Sequence, residues 1–231
     1  MSYLFTPSAL PVLPIIGRDE RFPVRRIYCV GRNYAAHALE MGGNPEREPP
    51  FFFSKPADAL VQNGSIIAYP PATDNFHFEM ELVIAINGTA KNLSVSEAVK
   101  LIFGYASGID LTRRDLQSAA KEKGRPWDCA KGFDFSAPCS AIAEAKSVPH
   151  IENSRLWLNV NGQNKQQALI SDMIWNPPEI VAHLSKMFEL KAGDLIYTGT
   201  PAGVGPLQPG DHVNGGIEGL PEITIDIIEG D

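Results

Sequence analysis

The 231-residue sequence has no Cys-x-x-Cys pair and no run of five basic residues, and no apolar stretch in it nears the ~20 residues of a membrane-spanning helix. Each absence excludes something. The cysteines, Cys29, Cys129 and Cys139, are an odd set, which argues against a disulfide framework or a cysteine zinc site and for reduced thiols in the cytoplasm. Twenty Lys and Arg stand against 27 Asp and Glu, a net charge of −7, so nucleic acid is not an expected partner. The opening MSYLFTPSALPVLPIIG lacks a basic start, and Pro7, Pro11 and Pro14 interrupt any signal-peptide helix. Residues 1–22 therefore read as an extended arm ahead of a single domain, 23–231. Membrane association is not expected.

Gly and Pro are plentiful, 20 and 19, and spread along the chain, which predicts many turns and short strands. Strands are expected at RRIYCVG, between loops within EPPFFFSKPADAL, and at GSIIAYP, YASGIDLT, DLIYTGT and ITIDIIE. Asn161-Gly162 marks a hairpin inside LWLNVNGQNKQQA. Helices are expected at NYAAHALEMGG, closed by Gly42-Gly43; in SVSEAVKLIFG, with a Ser94/Glu97 capping box; at TRRDLQSAAKEKG, with Thr112 near its N-cap; and in NPPEIVAHLSKMFELKAG. In the last, Asn176 is the cap, and Ile180, Leu184 and Met187 line one face. Strands outnumber helices without the regular alternation of a doubly wound sheet, so the fold class is α+β and strand-rich.

FHFEMELVIAI, residues 76–86, alternates like a buried strand yet carries two carboxylates. Residues two apart share a face, so Glu79 and Glu81 point the same way, about 7 Å apart. Burying both costs several kcal/mol each unless something compensates. A divalent cation would compensate; a solvated face on a half-exposed strand would avoid the cost, and for an isolated Glu-x-Glu that reading prevails. Asp110, ending the strand before RRDLQ, is a third candidate oxygen donor or an ordinary helix cap. Oxygen-only donors favour Mg²⁺ or Mn²⁺, with Ca²⁺ as a substitute.

His37 and Glu40, three apart on a helix, share a face, as a general base and its orienting carboxylate would; a surface ion pair is the alternative. Arg114 and Gln117 share a face just after Asp110. Lys131, in CAKGFDFSAP, reads as a buried cation aimed at a carboxylate or oxyanion, or as a solvent-facing lysine. TGTPAGVG lacks the Gly-Lys-Ser/Thr ending of a phosphate loop, but Gly199, Thr200 and nearby amides could hold a small carboxylate.

CVGRNYAAHALEMG, PFFFSKPADAL, HFEMELVIAI, GYASGIDLTRRDLQ, AKGFDFSAP and TGTPAGVG occur in an order that resembles the fumarylacetoacetate hydrolase family. The resemblance is strongest to the fumarylpyruvate hydrolase branch, which works in gentisate breakdown. It implies a mixed β-roll or sandwich with a few short helices, a homodimer, and a catalytic domain spanning 23–231. It implies a metal site at Glu79, Glu81 and Asp110, a water-activating pair at His37 and Glu40, and substrate contacts at Lys131, Gln117, Arg114 and Thr200. The expected reaction is metal-dependent cleavage of a C–C bond in an acylpyruvate, giving fumarate and pyruvate from fumarylpyruvate. Alternatives on the same site are decarboxylation of oxaloacetate or isomerisation of a 2-oxo-3-enoic acid; a non-catalytic binding module is a third reading. For the far end of the acyl tail, charge alone nominates Arg32 and Arg113.

A metal site predicts that saturating Mg²⁺ or Mn²⁺ raises the melting temperature, by about 2.7 kcal/mol of stabilisation at a hundred times Kd. A solvated carboxylate face predicts no shift in the same thermal scan.

Overall fold

The strand expected over residues 76–86 is two strands, because the backbone changes sheets at Glu79. The structure, a computed structural model, describes residues 2–40 and 48–230. Phe76–Phe78 lies in the middle of a three-stranded sheet, between Thr112–Arg113 and Gly205–Pro206. Met80–Ile86 lies within an eight-stranded mixed sheet. There its neighbours are Ile102–Ile109 and Asp194–Tyr197, both antiparallel to it. Asp194–Tyr197 in turn runs parallel to Arg26–Gly31, which pairs with Phe51–Lys55.

A five-stranded sheet packs on this one. Its order is Gln163–Leu169, Arg155–Val160, His212–Ile217, Ile223–Ile228, Ser65–Ala68. Met80, Leu82, Ile84 and Ile86 meet Leu156, Leu158, Val213 and Ile225 in the main core. The opposite face carries Val83 and Ala85, which join a second core with Leu13, Phe22 and Val24 from the N-terminal residues. Those residues include a small antiparallel ladder, Val12–Pro14 with Arg21–Pro23. The central strand is thus buried on both faces, so the carboxylate face is not a solvated one. The result is the strand-rich α+β architecture expected, a mixed roll of packed sheets with few helices.

Local chemistry sets the peripheral elements. Asn161 (φ 52°) and Gly162 (φ 75°) take the left-handed conformations that a tight hairpin turn between two strands requires. Ser94 and Glu97 form the reciprocal capping box of helix Val95–Leu101. Asn176 and Glu179 do the same for Pro177–Met187. Two expectations fail in detail. Met187 is 60% exposed, because the helix ends there and its buried face runs through Ile180, Val181 and Leu184. Thr112 does not cap helix Arg114–Glu122: it pairs with His77 in a two-residue strand, and Arg113 occupies the cap position without a side-chain bond. Gly42-Gly43 lie outside the described residues. No helix among the described residues is long and apolar enough to cross a membrane.

Leu184→Ala should cost about 2–5 kcal/mol by cavity formation. Met187→Ala should stay within about 0.5 kcal/mol, both read from urea denaturation midpoints.

Candidate metal and catalytic site

Register places the acidic residues. Met80 pairs with Ile109 and Glu81 with Gly108, so the start of one strand lies beside the end of the other. The Asp110 amide donates to the Glu79 carbonyl at 2.8 Å, which fastens the point where the chain leaves the ladder. One oxygen each from Glu79, Glu81 and Asp110 then lies within 4.8 Å of the others. These residues are only 5%, 1% and 0% exposed. Asp110 is not a helix cap, since the helix begins at Arg114.

Three buried cations face the three carboxylates. Lys131 Nζ donates to Glu79 Oε2 (2.9 Å), Asp110 Oδ2 (2.7 Å) and Thr112 Oγ1 (2.7 Å). The Arg114 guanidinium pairs with Glu79 Oε1 and donates to Gln117 Oε1 at 2.6 Å. Lys55, from FFFSK, donates to the carbonyls of Leu111 and Lys131. It lies 2.8 Å from Asp110 Oδ1, yet outside hydrogen-bond geometry, so that buried oxygen accepts no hydrogen bond. Burial by itself would push the Glu79 carboxyl up, but Lys131 and Arg114 override it and hold it well below the ordinary range. Glu81 goes the other way: burial first, then Asp110 and Glu79, drive its carboxyl well above the ordinary range. Its Oε2 accepts the Gly199 amide at 2.7 Å. Burial opposes the charge on Lys131, yet Asp110 and Glu79 raise its pKa.

The donor set fits a hard divalent cation. Three converging carboxylates, one with an unbonded buried oxygen and one electrostatically frustrated, are what such an ion would satisfy.

Across the same pocket sits His37, on helix Ala35–Glu40. Its Nδ1 is 3.1 Å from Glu40 Oε2. Glu40 also accepts the Gly203 amide, at 3.2 and 3.3 Å, tying the helix to the PAGVG loop. Asn33 anchors the entry to that helix: its side chain donates to the carbonyls of Trp175 and Thr198 and accepts the Trp175 amide. The remaining walls are Val30, Arg32, Phe51, Phe53, Lys121 and Trp127. Gly31 matters here because a Cβ at that position would collide with the Phe51 ring.

The expected site residues divide by what their atoms already do. Gln117 and Thr200 line the pocket, and the Gln117 amide nitrogen has no partner among the described residues. Arg114 lines it too, but its guanidinium is committed to Glu79, Gln117 and, at 3.4 Å, His77 Nδ1. The Gly199 amide is not available to a substrate carboxylate, since it serves Glu81, and its φ of 96° lets the chain pass close to Asn33. Lys131 spends three donors on the protein, so any oxyanion it serves must displace one. Arg113 lies outside the pocket, stacked 4.4 Å from the Phe133 ring. Composition and spacing missed Lys55, Thr112, His77 and Lys121. The signals were a lysine inside the aromatic run FFFSK, like Lys131 in CAKGF, and the position of Lys121 one turn after Gln117.

Comparison with known proteins agrees with this geometry. The family model described as the fumarylacetoacetate (FAA) hydrolase C-terminal domain matches residues 26–228. A fumarylpyruvate hydrolase from a Ralstonia species is 47% identical over 180 residues, covering 78% of this chain and 93% of that one. The mitochondrial oxaloacetate tautomerase of Arabidopsis thaliana is 42% identical over 202 residues, covering 87% and 90%. The crystal structure of Pseudomonas aeruginosa fumarylpyruvate hydrolase with Mn²⁺ and pyruvate superimposes with a TM-score of 0.96 at 47% identity, covering 99% of this chain and 100% of that one. The chain belongs to the fumarylacetoacetate hydrolase family.

Proposed function

We propose that this protein is a metal-dependent acylpyruvate hydrolase that cleaves fumarylpyruvate to fumarate and pyruvate, a step of gentisate breakdown. The carrying observation is one pocket in which Glu79 and Glu81, converging with the fully buried Asp110, share the lining with a histidine backed by its own carboxylate. The similarity to two fumarylpyruvate hydrolases, one holding Mn²⁺ and pyruvate, supports the same reading.

Glu79, Glu81 and Asp110 would hold Mg²⁺ or Mn²⁺, with Ca²⁺ as a substitute. When bound, such an ion supplies Lewis-acid polarisation and orientation of the 2-oxo acid end. Lys55, Lys131 and Arg114 hold Glu79 and Asp110 in place, and Lys131 and Arg114 keep the Glu79 carboxylate ionised. With Nδ1–H held by Glu40, the imidazole of His37 presents Nε2 as the base. His37 takes a proton from water, and the resulting hydroxide attacks the 4-oxo carbon. The free amide of Gln117 is placed to donate to the developing oxyanion, worth about 3 kcal/mol for a well-aligned donor. Thr200, whose hydroxyl oxygen accepts from Gln166 Nε2 at 2.8 Å, has its own proton left to orient substrate. The C3–C4 bond breaks with its electron pair going to the three-carbon fragment, and protonation gives pyruvate.

The likeness to an oxaloacetate tautomerase favours one side activity. Proton transfer or decarboxylation of oxaloacetate uses the same bound 2-oxo acid end but no activated water.

His37→Ala should lower fumarylpyruvate hydrolysis about 10²–10⁴-fold and spare oxaloacetate decarboxylation. Steady-state assays with Mn²⁺ check this, and equal loss of both activities would contradict the division of labour. Because burial and its acidic neighbours raise the Glu81 pKa, Mn²⁺ binding should release protons, in a number that grows as the pH is lowered. Calorimetric titration in buffers of different ionisation enthalpy measures that number.

A further inference from the structure

One part of the pocket has no task in the hydrolytic step. Lys131 Nζ lies 5.3 Å from the centre of the Phe53 ring. Phe53 packs on Trp127 with ring centres 5.7 Å apart, and Phe51 meets Trp127 edge-on at 5.2 Å. Lys121 Nζ stands 5.2 Å above Trp127. The aromatic wall therefore leads from the carboxylate triad to a second cationic point. Lys121 is also the next inward step along its helix, since Arg114, Gln117 and Lys121 recur at three and four residues and all line the pocket.

Arg32 joins Lys121 in that lining. Its φ of 58° is left-handed, uncommon for an arginine, and it directly precedes the bonded Asn33. Arg114 and Lys131 are paired with carboxylates, whereas neither Lys121 nor Arg32 forms an ion pair among the described residues. Burial, then Arg114 and Arg32, lower the Lys121 pKa, and the opposing pull of Glu79 does not restore the balance. Two unpaired cations that share a half-closed pocket repel one another, and an anion between them would relieve both.

We propose that Lys121 and Arg32 form the subsite for a carboxylate at the far end of the substrate, so that the pocket selects 2-oxo acids whose tail is flat, extended and terminated by a second carboxylate. The aromatic wall of Phe51, Phe53 and Trp127 covers the tail between the two anionic ends. This rests on the reading of the triad as the anchor for the 2-oxo acid end, and it makes Lys121 a determinant of specificity.

The test uses two non-reacting ligands of equal length, 2-oxoadipate and 2-oxohexanoate, which differ only in the distal carboxylate. Each is titrated calorimetrically into the Mn²⁺-loaded protein, wild type, Lys121→Gln, Lys121→Arg and Arg32→Gln. Wild type should bind 2-oxoadipate at least about tenfold more tightly. Lys121→Gln and Arg32→Gln should each narrow that ratio severalfold, and Lys121→Arg should largely retain it. Equal affinities in wild type, or a ratio unchanged in both glutamine variants, would overturn the subsite. A parallel loss of affinity for both ligands would make Lys121 a structural cation over Trp127 and overturn it as well. Wild-type turnover of fumarylpyruvate, assayed alongside, judges the hydrolase reading separately: discrimination without turnover removes only the reaction, and turnover without discrimination removes only the subsite.

Discussion

The site depends on the balance between three buried carboxylates and three buried cations. Glu79, Glu81 and Asp110 could not share so small a space out of water without Lys55, Lys131 and Arg114, because an uncompensated buried charge costs several kcal/mol. The compensation is uneven. Lys131 and Arg114 serve Glu79, Lys131 and Lys55 attend Asp110, and among the described residues Glu81 receives only the Gly199 amide. Glu81 is therefore the corner without a cation of its own, and that corner is where a doubly charged ion gains most.

This balance is a product of sheet topology. Glu79 sits where the chain passes from the three-stranded sheet to the eight-stranded one, so its side chain is free of a strictly pleated ladder. Antiparallel register brings Asp110 alongside, and the parallel Arg26–Gly31 and Asp194–Tyr197 strands deliver the Asn33 and Gly199 turns to the same edge. The mutual hydrogen bonds of those turns make the edge rigid: Asn33 reaches Thr198, and Gly199 reaches Glu81. The edge that carries the triad is therefore closed by contacts between residues 165 and 118 apart in sequence.

That separation explains what could and could not be read from the chain. Local chemistry was legible: the Ser94–Glu97 and Asn176–Glu179 boxes and the Asn161-Gly162 turn all depend on neighbours in sequence. The pairing of Lys55 with Asp110 was not, because only the folded register makes them neighbours. Thr112 misled for a related reason. A threonine ahead of a helix resembles a cap, but tertiary packing turned its hydroxyl to Lys131 and Glu79. The Gly199 amide, too, could be assigned only once Glu81 was seen beneath it.

The double duty of Glu40 has a mechanical consequence. One carboxylate holds the imidazole of His37 and also moors its helix to the Gly203 loop. Any displacement of that loop would pull on the carboxylate beneath the ring, so a single side chain ties the seat of the histidine to the far wall of the fold.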